Sequence, residues 1–164
     1  MVSPAPANFQ DKWTETFMEE CDKLNCRIDY LAVHNYGKAF DGGDTGSGLS
    51  VNHLMEKLEA YSQLYGGRKI WLTEFAALKE HNTSKIIEYV EELLPRLEHA
   101  DFIDRYSWFY TRYYENHDEN GFWIDSNNSL LKLDKPELSI VGEAYDKPWH
   151  LEKYKPWKSA LFLM

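Results

Sequence analysis

Three short apolar runs, separated by stretches with helical spacing, constrain this chain more than any other feature. They are Ile28-Asp29-Tyr30-Leu31-Ala32-Val33-His34, Ile70-Trp71-Leu72-Thr73-Glu74-Phe75-Ala76 and Ile103-Asp104-Arg105-Tyr106-Ser107-Trp108-Phe109. Each is short, rich in β-branched or aromatic residues, and bounded by turn residues, which reads as a buried strand. Between the first two, Ser50 is a good N-cap for a helix with Val51, Leu54, Met55, Leu58 and Tyr61 on one face, stopped by Gly66-Gly67. Between the second and third, a helix starting near Thr83-Ser84 carries Ile86, Ile87, Val90, Leu93, Leu94 and Leu97, with Glu88, Glu91, Glu92 and Glu98 on a solvated face. Strand and helix in alternation predict an α/β fold with a parallel sheet and right-handed crossovers. Phe9, Trp13, Phe17 and Cys21 recur at four-residue steps, the stripe of a helix before the first strand. Met1 to Ala5 reads as the end of a further strand, and Pro136 as the opening of a last helix through Leu138, Val141 and Tyr145.

Composition narrows the function. The 164 residues suffice for one domain with a sizeable core. A net charge of −9 leaves no basic patch to meet phosphates, so nucleic acid is not an expected partner. No apolar run approaches the roughly 20 residues that span a bilayer, and the N-terminus does not read as a signal peptide. Cys21 and Cys26 have no further cysteine or histidine pair to complete a zinc site. They are read instead as a local disulfide tying a helix end to the next strand. The sequons Asn82-Thr83-Ser84 and Asn127-Asn128-Ser129 agree with an extracellular setting. Two buried thiols and two chance sequons are the alternative. Asp41, Asp44 and His53 lack the spacing of a cation loop, so neither metal nor cofactor is expected.

Glu74 is the first candidate for chemistry. Glu is a poor strand residue and is rarely buried unless paired, so a Glu where a buried strand surfaces is a candidate working carboxylate. Ligands of parallel α/β folds bind outside the carboxyl ends of the strands. There the layout gathers His34, Asn35 and Tyr36 after one strand, Glu74 after the next, and Trp108 with Tyr110 after the last. Carboxylate, imidazole, phenol and indole together suit a sugar: aromatics stack on pyranose faces, and a carboxylate can attack or stabilise an oxocarbenium-like centre. Plainer readings stand beside these. Glu74 could cap a loop or pair with an Arg, His34 could be a core histidine, and Tyr36 and Trp108 could fill a rim.

Five segments in order carry a resemblance. They are Asp29-Tyr30-Leu31-Ala32-Val33-His34-Asn35-Tyr36-Gly37, Ile70 to Ala76, Arg105 to Phe109, Asn128-Ser129-Leu130-Leu131 and Gly142-Glu143-Ala144-Tyr145. With them the chain resembles the glycosyl hydrolase catalytic core family typified by the fungal alkali-sensitive-linkage protein, glycoside hydrolase family 128. The resemblance implies a (β/α) barrel of the TIM type that cleaves β-1,3-glucan with retention, often secreted or in the cell wall. By it, Glu74 matches the nucleophile at the end of the seventh strand. His34 and Tyr36 match sixth-strand residues lining the site, and Trp108 an eighth-strand sugar platform. Asn35 stands where the family usually has Trp.

The family's acid/base Glu lies in an Asn-Glu-Pro segment after the fourth strand, and no such segment occurs here. A retaining glycosidase needs two carboxyl groups about 5 Å apart. Glu115, Asp118, Glu119 and Asp125 follow the last strand, but nothing in their spacing selects one. A whole barrel usually takes about 250 residues. The chain therefore reads as strands five to eight, a half barrel over residues 1–145, with an aromatic-rich C-terminal extension over 146–164. The expected partner is a polysaccharide, with self-association or a missing N-terminal half completing the sheet. A non-catalytic glucan-binding or cell-wall protein, and an unrelated barrel half with a structural Glu74, are the other readings.

Overall fold

A computed structural model describes residues 1–6, 12–36, 50–77, 80–113 and 126–147. Phe9, Gly37, Asp41, Asp44, Glu115, Asp118, Glu119, Asp125 and the extension from 148 lie outside them. The order of elements is α1 (Lys12–Lys23), β1 (Tyr30–Asn35), α2 (Val51–Leu64), β2 (Lys69–Phe75), α3 (Thr83–His99), β3 (Ile103–Trp108), a 3-10 turn (Ser126–Asn128) and α4 (Ile140–Tyr145). The three strands form one parallel sheet in the order β1-β2-β3. Val2 adds a parallel bridge to Tyr30 on the free edge of β1, as expected of a further strand end. The α/β fold and parallel pairing follow from the alternation of patterns.

Each helix is built by local signals. The Ser50 side chain accepts the His53 N–H at the start of α2, and Asn82 accepts the Ser84 N–H at the start of α3. Gly66 and Gly67 end the α2 turn at φ of 75° and 73°, a backbone that side chains with a Cβ rarely adopt. The core lies between the helices and one face of the sheet. Leu31, Val33, Ile70, Leu72, Phe75 and Ile103 from the strands are fully buried there, with Leu58, Ile86, Val90, Leu93, Leu94 and Leu97 from the helices.

Three expectations change. The buried residues of α1 are Thr14 and Met18, one residue round from Trp13 and Phe17, together with Cys21, which was on the expected stripe. Trp13 is 53% exposed and stacks on Phe17 at the margin of the core. The last helix starts at Ile140, not at Pro136: Ser139 is its N-cap, and Leu131 bridges Leu138 antiparallel just before it. Cys21 and Cys26 are two thiols rather than a disulfide. They sit at the end of α1, where Asn25 takes a left-handed turn at φ 53° and the Cys26 N–H bonds the Cys21 carbonyl at 2.8 Å. This closure brings the third-from-last helical residue against the second beyond the cap. The side chains meet as a hydrogen bond, with Cys21 buried and Cys26 exposed, and that bond together with desolvation pushes the Cys21 thiol up to about 11.

Candidate active site

A bulge decides where Glu74 points. Strict alternation along β2 would put Glu74 on the face of Ile70 and Leu72, which packs on the helices. In the pairing with β1, Val33 opposes Leu72 and His34 opposes Glu74, so Thr73 is an extra residue. Between Leu72 and Phe75, β2 likewise has one more residue than β3 has between Tyr106 and Trp108. The extra residue resets the parity. Phe75 returns to the buried face, and Glu74 joins Trp71 and Thr73 on the opposite, half-buried one. The Thr73 hydroxyl donates to the Val33 carbonyl at 3.2 Å, tying the bulge to β1.

Glu74 Oε2 lies 3.4 Å from His34 Nδ1, with both side chains partly open at 32% and 21% exposure. The strand ends thus place an accessible carboxylate beside an imidazole. Tyr36 is buried, with its ring edge-on to His34 at 6.1 Å and to Phe109 at 5.6 Å. Phe109 leads on to Tyr110 at 4.7 Å, and Tyr110 to Tyr113 at 5.1 Å. An aromatic ladder thus runs from the imidazole beside Glu74 to the loop after β3. Phe109 and Tyr113 were not singled out in the sequence, although the density of aromatic residues from 106 to 114 was a signal. Asn35 closes β1, and its carbonyl accepts the Ala76 N–H at 3.3 Å.

Trp108 is a correction. Its position in β3 puts it opposite Phe75, on the helix side, and it is 6% exposed. Its ring meets Phe75 at 5.2 Å and Tyr145 at 6.2 Å, and its Nε1 donates to the Asn128 carbonyl at 2.7 Å. It braces the site from behind and offers no open face for a sugar. The half-buried residue beside it on the other side of β3 is Ser107.

The opposite end of the same sheet face carries a second polar group. Trp71 Nε1 donates to Asp104 Oδ2 at 2.8 Å, and the Arg105 guanidinium lies 5.2 Å from the Trp71 ring centroid. Asp104 is itself an extra residue, since Ile70 opposes Ile103 and Trp71 opposes Arg105. On the helix side, Tyr106 donates to Glu98 at 2.6 Å, so Glu98 is not merely solvated. Burial, then this carboxylate, pushes the Tyr106 phenol far up. Among the described residues no cluster of three or more His, Cys, Asp or Glu could hold a metal ion.

The sequence profile of the glycosyl hydrolase catalytic core family matches residues 1–145. The chain belongs to that family. Its members are glycoside hydrolases. Solved structures of the same kind are similar. An endo-β-1,3-glucanase of family GH128 subgroup II from Sorangium cellulosum shares 29% identity, with a TM-score of 0.64 over 88% of this chain and 53% of that one. A subgroup III curdlan-specific exo-β-1,3-glucanase from Blastomyces gilchristii, in complex with glucose, shares 25% identity, with a TM-score of 0.61 over 89% and 53%. A subgroup I endo-β-1,3-glucanase from Amycolatopsis mediterranei, in complex with laminarihexaose, shares 22% identity, with a TM-score of 0.66 over 88% and 56%. The chain spans little more than half the length of these structures. No curated protein sequence matches the chain.

Proposed function

We propose that this chain is the C-terminal half of a (β/α) barrel that hydrolyses β-1,3-glucan with retention, and that Glu74 is its nucleophile. The observation that carries the reading is the bulge in β2, which turns Glu74 away from the helix-packed core and beside His34. A strand gives up regular pairing to expose one carboxylate, and bulges are over-represented next to active sites. The half-buried face of the sheet supports the half barrel, because Trp71, Thr73, Glu74, Arg105 and Ser107 lie where a barrel interior would run. The lengths of the similar glucanases agree with this.

In this reading the Glu74 carboxylate attacks the anomeric carbon and forms a glycosyl ester as the glycosidic oxygen leaves. His34 orients the carboxylate at 3.4 Å. The oxygen takes its proton from a second carboxylic acid supplied by the other half of the barrel. The same group then removes a proton from the water that cleaves the ester, so the sugar leaves with its original anomeric configuration. The test follows the anomer released from laminarin by proton NMR, using the full-length protein. The β-anomer first supports retention. The α-anomer first refutes it, and binding without turnover favours a glucan-binding protein.

A further inference from the structure

The segment from Asn127 to Leu131 takes no part in the chemistry above, yet it ties together the loops around Glu74. Asn128 is 1% exposed. Its Oδ1 accepts the Ala77 N–H at 3.1 Å, and its Nδ2 donates to the Ala77 carbonyl at 3.4 Å. One amide side chain thus pairs with one residue as a neighbouring strand would. The backbone carbonyl of Asn128 takes the Trp108 Nε1–H. Asn128 therefore bridges the ends of β2 and β3.

Its neighbours extend the strap. Ser129 Oγ accepts the Tyr113 N–H at 3.0 Å, and the Leu131 N–H donates to the Thr111 carbonyl at 2.8 Å, fixing the chain just after Tyr110. Ser139, the cap of α4, donates through its hydroxyl to the Ser129 carbonyl and through its N–H to that of Leu130.

Sheet pairing runs out just after Glu74. The Phe75 carbonyl accepts the Phe109 N–H, and the Ala76 N–H reaches Asn35. At Ala77 the N–H passes to Asn128. We propose that Asn128 is a positioning residue for Glu74, its amide pairing with Ala77 holding the end of β2 so that the carboxylate keeps its place beside His34. The proposal rests on the hydrolase reading of Glu74.

The test compares Asn128→Ala with Asn128→Asp in the full-length protein. Two readouts are used: the carbon-13 chemical shift of the Glu74 carboxyl, and kcat and KM on laminarin. The Ala variant loses both bonds. The Asp variant keeps them while its carboxyl is protonated and loses the donor once ionised. The expected result for Asn128→Ala is a displaced Glu74 carboxyl signal and a kcat lower by about tenfold, with KM within about twofold. Asn128→Asp should match the wild type at acid pH and fall towards Asn128→Ala as pH rises. Lower melting temperatures with the Glu74 carboxyl signal and kcat unchanged would make Asn128 merely structural and overturn the proposal. If Asn128→Ala does not fold, the pH dependence of Asn128→Asp decides by itself. A wild type whose Glu74 signal is resolved but which leaves laminarin intact refutes the hydrolase reading, and the chemical-shift arm still decides the positioning role.

Discussion

Substituting Gly142 by Ala tests the packing behind the site. A Cβ built at this glycine lies 2.0 Å from the Leu130 carbonyl oxygen, 2.9 Å from its carbon and 3.1 Å from a Leu138 methyl. Ordinary contact begins at 3.4 Å, so the helix and the strap must separate by about 1.4 Å. The obstacle is backbone and cannot rotate away. Overpacking of this kind costs about 1–3 kcal/mol, and the rigidity of a carbonyl favours the upper end. The same carbonyl accepts the Ser139 N–H at 2.8 Å, so moving it forfeits a capping-turn bond of about 1 kcal/mol. The expected loss is about 4 kcal/mol, or roughly 8–16 °C in melting temperature for a chain of this size. Urea titration followed by circular dichroism gives the free energy, and a thermal scan gives the melting temperature. Because Leu130 continues from Asn128, the Glu74 carboxyl signal should move as well. A change below about 0.5 kcal/mol, typical of a neutral surface substitution, would refute the close approach of α4 to the strap.

Three further outcomes follow from buried polar groups. Thiol labelling of the native protein at pH 8 should modify Cys26 quickly and Cys21 slowly, because the hydrogen bond with Cys26, and then desolvation, raise the Cys21 thiol to about 11; equal rates contradict this. Alkaline spectrophotometric titration should show tyrosines ionising above the ordinary value of about 10, since desolvation raises Tyr61 to about 12 and Tyr106 and Tyr145 further. These groups bind protons more tightly folded than unfolded, so their stabilisation is complete below about pH 10 and is lost as pH rises beyond it. A single normal transition without unfolding opposes the assignment. Asp104→Ala leaves the Trp71 indole N–H without its acceptor and should cost about 1–2 kcal/mol in a urea titration, against no change if solvent replaces it.

Much of this structure was legible because period and punctuation agree. Leu72 and Leu31 lie in apolar runs, the Ser50 cap and the Gly66-Gly67 stop bound a helix, and a parallel sheet follows from their alternation. What was not legible depends on register. Thr73 looks like any strand residue, and only its pairing with β1 makes it the extra one that turns Glu74 round. The same counting along β3 sends Trp108 to the helix side, where an aromatic near a strand end had suggested a sugar platform. For Cys21 and Cys26, spacing suggested a bond; the turn at Asn25 brings the thiols together without one. The roles of Asn128 and Gly142 depend on contacts between segments far apart in the chain. Both residues stood in the segments that carried the family resemblance, without a physical reason attached until Ala77 and Leu130 were seen against them.

In the proposed reaction the carboxylate turned out by the β2 bulge performs the attack. Glu74→Gln keeps the size of the side chain and removes its nucleophilic charge. In the full-length protein the expected result is an unchanged circular dichroism spectrum, retained laminarin binding, and hydrolysis reduced at least about a thousandfold. Turnover of laminarin at the wild-type rate by a folded Glu74→Gln variant would contradict it.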